Sequence, residues 1–119
     1  IKQVRGVSDL KGIVLLKIEK SEDELVFHLM DGRKFKFYHE TDCSEIVTID
    51  DISGDLSDLI GCPLLLCEET ISPDNPRKYD DTCTWTFYRF ATVKGYVNVK
   101  WYGGSNGYYS ESVDFVEVK

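Results

Sequence analysis

The chain has 119 residues, of which 42% are hydrophobic and 13% aromatic, and a formal net charge of −7 at pH 7. That length predicts a single domain over 1–119 with a real core, and the composition excludes a disordered chain. The acidic balance argues against long nucleic acid as a partner, since duplex binding calls for a basic face, but leaves room for a small anion in a local basic pocket or for a basic protein partner.

No apolar run is long enough to cross a membrane, so no membrane partner is expected, and the start of the chain carries no secretory pattern. Four cysteines stand at Cys43, Cys62, Cys67 and Cys83, none in a Cys-x-x-Cys pair. Zinc-ribbon and thioredoxin spacings are therefore absent. Cys62, Cys67 and Cys83 fall in apolar or β-patterned runs and read as buried thiols in a reducing cytosol.

Ser8-Asp9-Leu10-Lys11-Gly12 predicts a single capped turn. Ile13 to Lys20 predicts a first strand, and Glu24 to Met30 a second, with Leu25, Phe27 and Leu29 on one face. Asp31-Gly32 is a two-residue hairpin signal. The partner strand, Arg33 to His39, sends Phe35 and Phe37 inward and Lys34, Lys36 and Tyr38 outward. Ile46 to Ile49 predicts a short strand, broken by Asp50-Asp51-Ile52-Ser53-Gly54. Asp55 to Ile60 predicts the one short helix, over about 54–60, capped by Ser53 or Asp55 and ended by Gly61-Cys62-Pro63.

Leu64 to Ser72 predicts another strand, and Pro73 to Asp81 a long polar loop with the cations Arg77 and Lys78. Thr82 to Lys94 predicts the longest strand. Cys83, Trp85, Phe87, Ala91 and Val93 share one face; Thr84, Thr86, Tyr88, Phe90 and Thr92 share the other. Aromatics on both faces predict a central strand covered on both sides. Arg89 interrupts the Trp85 face, where a charge needs a partner or a ligand. Tyr96 to Tyr102 returns with Val97, Val99 and Trp101 alternating, and Tyr108 to Val118 closes the sheet. The sum is an α+β, β-rich antiparallel fold: a curved sheet or partial barrel of about eight strands with one short helix.

The stretch Trp101-Tyr-Gly-Gly-Ser-Asn-Gly-Tyr-Tyr-Ser110 is longer than a hairpin turn requires. Glycines free its backbone, Ser105 and Asn106 offer hydrogen bonds, and aromatic residues crowd both sides. Such a loop suits a stacked planar ligand; the plain alternative is a hairpin with tyrosines packed across strands. The candidate ligand-binding residues are Tyr88, Arg89, Trp101, Tyr102, Ser105, Asn106, Tyr108 and His39. Aromatic stacking on a nucleobase contributes about 1–3 kcal/mol per base. Arg89, Arg77 or Lys94 would hold phosphate. Tyr108 and Tyr109 alternate along a strand, so at most one of them faces a ligand.

Other constellations carry less. His39, Asp42, Cys43 and Glu45 are all metal-ligand types within seven residues, yet their spacing matches no standard motif, and a polar turn capped by Asp42 accounts for them. A Cys43–His39 nucleophile pair lacks an oxyanion loop and a third residue. Asp50, Asp51, Asp55 and Asp58 lack the pattern of a calcium loop and read as a solvated helix start. No Gly-rich phosphate loop or dinucleotide fingerprint is present. The expectation is a protein that is not an enzyme, with no cofactor and no metal.

Thr84-Trp-Thr-Phe-Tyr88, Ala91-Thr-Val-Lys-Gly95 and Trp101-Tyr-Gly-Gly-Ser-Asn-Gly-Tyr-Tyr-Ser-Glu-Ser-Val-Asp-Phe115, with His39-Glu-Thr-Asp-Cys43-Ser-Glu45 and Gly54-Asp-Leu-Ser-Asp-Leu-Ile-Gly61, resemble a widespread group of small, mostly uncharacterised phage proteins. The resemblance covers roughly 35–118. Many members continue the His-x-x-Asp-Cys stretch with a second cysteine; this chain has Ser44, which weakens a metal role resting on a cysteine pair. The resemblance implies a host-defence setting in the bacterial cytoplasm. It points to the cyclic-oligonucleotide sponges (the anti-CBASS type): homo-oligomers that sequester a nucleotide second messenger between subunits without cleaving it. Two alternatives stay open. One is an acidic inhibitor that docks through Asp50–Asp58 on a host defence or nucleic-acid enzyme. The other is a metal-dependent enzyme using the His39–Glu45 turn.

Overall fold

The computed structural model describes residues 6–40, 45–74, 82–105 and 111–118. Eight strands form among them, wherever β-branched and aromatic residues alternate with polar ones. The first three are β1 (Leu15–Lys20), β2 (Leu25–Leu29) and β3 (Lys34–Tyr38). Next come β4 (Ile46–Ser53), β5 (Leu66–Asp74) and β6 (Thr82–Thr92). The last two are β7 (Gly95–Ser105) and β8 (Asp114–Val118).

The strands divide between two antiparallel four-stranded sheets, ordered β1-β2-β3-β8 and β4-β7-β6-β5. The turn between β2 and β3 falls at Asp31-Gly32 but is not the two-residue turn that pair predicts: His28 pairs with Lys34, so Met30, Asp31 and Gly32 form a three-residue loop with only Gly32 at positive φ. Gly32 takes φ +94°, a region that costs other residues steric strain, and Leu29 N–H donates to the Arg33 carbonyl at 2.8 Å.

The two sheets face each other because each is amphipathic. Phe27, Phe35 and Phe37 of the first sheet are buried, while Lys34 and Lys36 look outward. Across the gap, Phe27 meets Phe90 edge-on at 5.2 Å, and Phe37 meets Tyr88 at 4.9 Å. Val97, Val99 and Trp101 of β7 complete this core. Full burial of one such side chain contributes about 1.5–3 kcal/mol, so the aromatic seam is the main attraction between the sheets.

The β-rich antiparallel class is as expected, with three further differences in detail. The expected curved sheet or partial barrel is two packed four-stranded sheets. The helix expected at about 54–60 is a 3-10 turn over Leu56–Leu59, and a second such turn spans Val7–Leu10. Leu56 and Leu59 are three residues apart, which suits one 3-10 turn. Asp55 caps it by accepting from Ser57 N–H at 2.9 Å. Ile60 is already extended and bridges Leu15, drawing the chain into the sheet before a second turn can form. Finally, the Asp50-Asp51 pair does not end β4. A register shift between Ile49 and Asp51 absorbs Asp50 as a bulge, and pairing with β7 continues to Ser53.

Candidate functional site

The β6–β7 hairpin is the longest pairing in the molecule, running from Thr82↔Ser105 to Thr92↔Gly95. Its two-residue turn fixes which residues share a face. Even-numbered β6 residues and odd-numbered β7 residues point into the sandwich. Odd-numbered β6 residues and even-numbered β7 residues form the outer surface. The strand is central, as expected, and among the described residues its two faces differ in burial: on the outer one Cys83 and Ala91 are buried while the residues between them are more open. Tyr88 and Phe90 are fully buried, whereas Trp85 and Phe87 are partly exposed and Arg89 is exposed.

The outer surface is an ordered lattice. One row runs Ser72, Trp85, Tyr102; the next Thr70, Phe87, Lys100; the third Glu68, Arg89, Asn98. Trp85 meets the Tyr102 ring edge-on at 5.0 Å. Lys100 leans along the sheet and sets its ammonium 4.3 Å above the Trp85 ring, a cation–π contact. Lys100 also approaches Asp50, and Arg89 approaches Glu68, each at 4.0 Å. These ion pairs are long and solvent-facing, so they hold the cations weakly.

A second group gathers at the inner end of the hairpin. Thr82, Thr84 and Ser105 turn their hydroxyls to one carboxylate, that of Glu111. Ser105 Oγ donates at 2.5 Å and Thr84 Oγ1 at 2.9 Å, and Thr82 Oγ1 donates to the same group. Burial pushes the Glu111 carboxyl up, but the three hydroxyl donors outweigh it and hold it below the usual carboxylate range. Next door, His39 Nδ1 lies 2.8 Å from the Ser112 carbonyl, and Nε2 lies 2.9 Å from Glu45 Oε2. A carbonyl only accepts, so Nδ1 carries a proton and donates; Nε2 and Glu45 share the other. The His39 side chain is 4% exposed and that of Glu45 0%. Burial alone would lower the imidazole pKa. Glu45, the Ser112 carbonyl and the more distant Asp114 together raise it.

The predicted site residues therefore separate. Tyr88 and Trp101 face the core, both 0% exposed, and Tyr88 O–H donates to Glu69 Oε2 at 2.7 Å. Arg89 and Tyr102 share the outer surface, although Tyr102 is buried there. Ser105 and His39 hold the Glu111–Ser112 segment. Asn106 and Tyr108 lie outside the described residues, as do Arg77, Lys78, Asp42 and Cys43. Lys94 donates to the Ile60 carbonyl at 2.7 Å, closing the 3-10 turn. Among the described residues no group of three His, Cys, Asp or Glu side chains is placed to hold a metal. The Cys67 thiol is pushed up to about 11 by burial, which makes it a poor nucleophile at neutral pH. Sequence reasoning passed over Trp85, Phe87 and Lys100. The signal was Arg89: a charge marks the solvent side of β6, and Trp85 and Phe87 share its parity.

A family model described as "Domain of unknown function (DUF7448)" matches residues 8–115. The chain belongs to that family. No curated protein and no solved structure matches it. Among the described residues no helix of this family member is long and apolar enough to cross a membrane.

Proposed function

We propose that this protein is a phage-encoded sponge of the host cytoplasm, a homo-oligomer that sequesters a cyclic-oligonucleotide second messenger without cleaving it. The observation that carries the reading is the Lys100 ammonium 4.3 Å over the partly exposed Trp85 ring, with Arg89 on the same surface. Aromatic faces stack on nucleobases whatever the base, and cations beside them take the phosphate. In a chain of net charge −7, two cations held this loosely on an aromatic surface form a local anion site. The surface is small and its surroundings acidic, which favours a small nucleotide over a polymer.

Calorimetry of the purified protein against cyclic di- and trinucleotides tests this. Binding heat with at least one of them is expected, weakened by Arg89→Gln, and the ligand should be recovered intact from the complex. No heat with any member of the panel sinks the reading. In that case capture of one host protein, lost in Asp51→Lys, would support the acidic-inhibitor alternative instead.

A further inference from the structure

We propose that the free edge of β5 docks an extended segment of another protein by strand addition, with a basic residue of that segment opposite Glu69 and an apolar one opposite Ile71. Each sheet ends in two edge strands, β1 and β8 in one, β4 and β5 in the other. An edge presents unpaired main-chain N–H and C=O groups, and proteins blunt it with bulges, lysines, short strands or covering segments. Among the described residues three of the four edges carry such devices. β1 has a register shift between Leu15 and Lys17, bears Lys17 and Lys20, and is met at its start by Ile60 and Pro63. β4 has its bulge at Asp50, and its Ile49 N–H donates to the Glu22 carbonyl at 2.8 Å. β8 is only five residues long.

β5 differs. It runs nine residues in unbroken register with β6 and contains no lysine. Among the described residues no second strand pairs with it. Glu68 to Ser72 are all exposed, so the first sheet leaves this margin uncovered. Ile71 is 54% exposed, although its pairing with Thr86 puts it on the inner face. Glu69 shares that face; Tyr88 O–H donates to its Oε2, which leaves Oε1 for a cation. The complement of this pair is a strand with a basic and an apolar residue two apart on one face. Pro73 has no N–H to give and ends the usable edge at Ser72. A second copy fits poorly. Antiparallel pairing of 66–72 with itself centres on Glu69 and sets two carboxylates directly opposite, in chains that each carry a net charge of −7. Docking here is independent of nucleotide binding on the outer face.

NMR titration of the intact, isotope-labelled protein with the end-blocked peptide Thr-Ile-Thr-Lys-Thr-Val-Thr tests this. Paired antiparallel, its isoleucine lies opposite Ile71 and its lysine opposite Glu69. Amide shifts should change along 66–72 and not along β1, β4 or β8. In an added strand every second N–H faces β5, so of two peptides N-methylated at alternate residues, one should bind at least about tenfold more weakly than the other. Ile71→Lys should weaken the peptide about tenfold. Glu69→Lys should lose it and bind instead the peptide with glutamate in place of its lysine, a swap that a misfolded chain would not show. Shifts centred outside 66–72, or none up to the solubility limit of the peptide, overturn the proposal. Shifts at 66–72 that grow with protein concentration alone assign the edge to a second copy and overturn it as well.

Discussion

The backbone of Glu111 lies directly on Gly103. A Cβ built at position 103 would meet the Glu111 carbonyl oxygen at 2.2 Å and its carbonyl carbon at 3.0 Å. The clash is with main-chain atoms, and Gly103 is fixed by pairing with Val47 and Thr84 on either side, so only the Glu111 segment could give. Gly103→Ala should therefore cost about 1–3 kcal/mol as an overpacking change. A shift of the urea midpoint to lower concentration, with the slope unchanged, is the expected result.

Glu111 also ties this segment by its side chain. Its folded pKa is depressed, so the bound carboxylate contributes stability that is present above the unfolded value of about 4.3 and is lost as pH falls through the folded value. Glu111→Gln should cost about 1.5 kcal/mol near neutral pH, the low end of the range for hydrogen bonds to a charged group, because the carboxylate is only partly buried. Unfolding free energies across the acid range should show the wild-type advantage shrinking. An advantage that stays level from neutral to acid pH would contradict the assignment.

His39 should act with the opposite sign. Its folded pKa is raised, so its contribution is complete below the unfolded value of about 6.5 and fades as pH rises through the folded value. Replacing it by Gln removes the titration. The wild-type advantage over His39→Gln should then decline from about pH 6.5 upward. Proton chemical shifts of the His39 ring followed against pH give an independent midpoint, expected above that of an unperturbed imidazole.

Tyr88 bears on whether the core face can serve a ligand. Burial first, then the Glu69 carboxylate, push its phenol far above the ordinary range. Tyr88→Phe removes one hydrogen bond to a carboxylate on an exposed residue, which water then solvates, and should cost about 0.5–1.5 kcal/mol. Its effect on nucleotide affinity should be nil if the ligand lies on the outer surface. Loss of binding in Tyr88→Phe with stability retained would return the site to the inner face.

Much of the fold was legible because alternation is a one-dimensional record of burial. Phe35 and Phe37 against Lys34 and Lys36 could be read only one way, and the structure buries the phenylalanines. In β6 the record was ambiguous, since Trp85 and Phe87 compete with Tyr88 and Phe90. The choice between them depends on which face meets Phe27 and Phe37, a contact between segments far apart in sequence. The bulge at Asp50 was hidden for a related reason: two adjacent aspartates look like a break unless the partner strand shows that one is merely skipped. The hydroxyl cluster around Glu111 gave no signal, because Thr82, Thr84 and Ser105 converge only after the hairpin forms.

The pairing of β3 with β8 joins residues 34–38 to residues 114–118. On the ribosome, the β1-β2-β3 meander emerges early, with Phe35 and Phe37 on its face and one edge open. Phe115, which stacks 5.3 Å from Phe35 and packs 4.6 Å from Phe37, arrives about eighty residues later. Closing that loop is entropically costly, and transiently exposed edges and aromatic faces are the species that aggregate. The nascent first half is therefore the vulnerable stage of this molecule's life, and truncation before β8 should yield an insoluble product rather than a smaller domain.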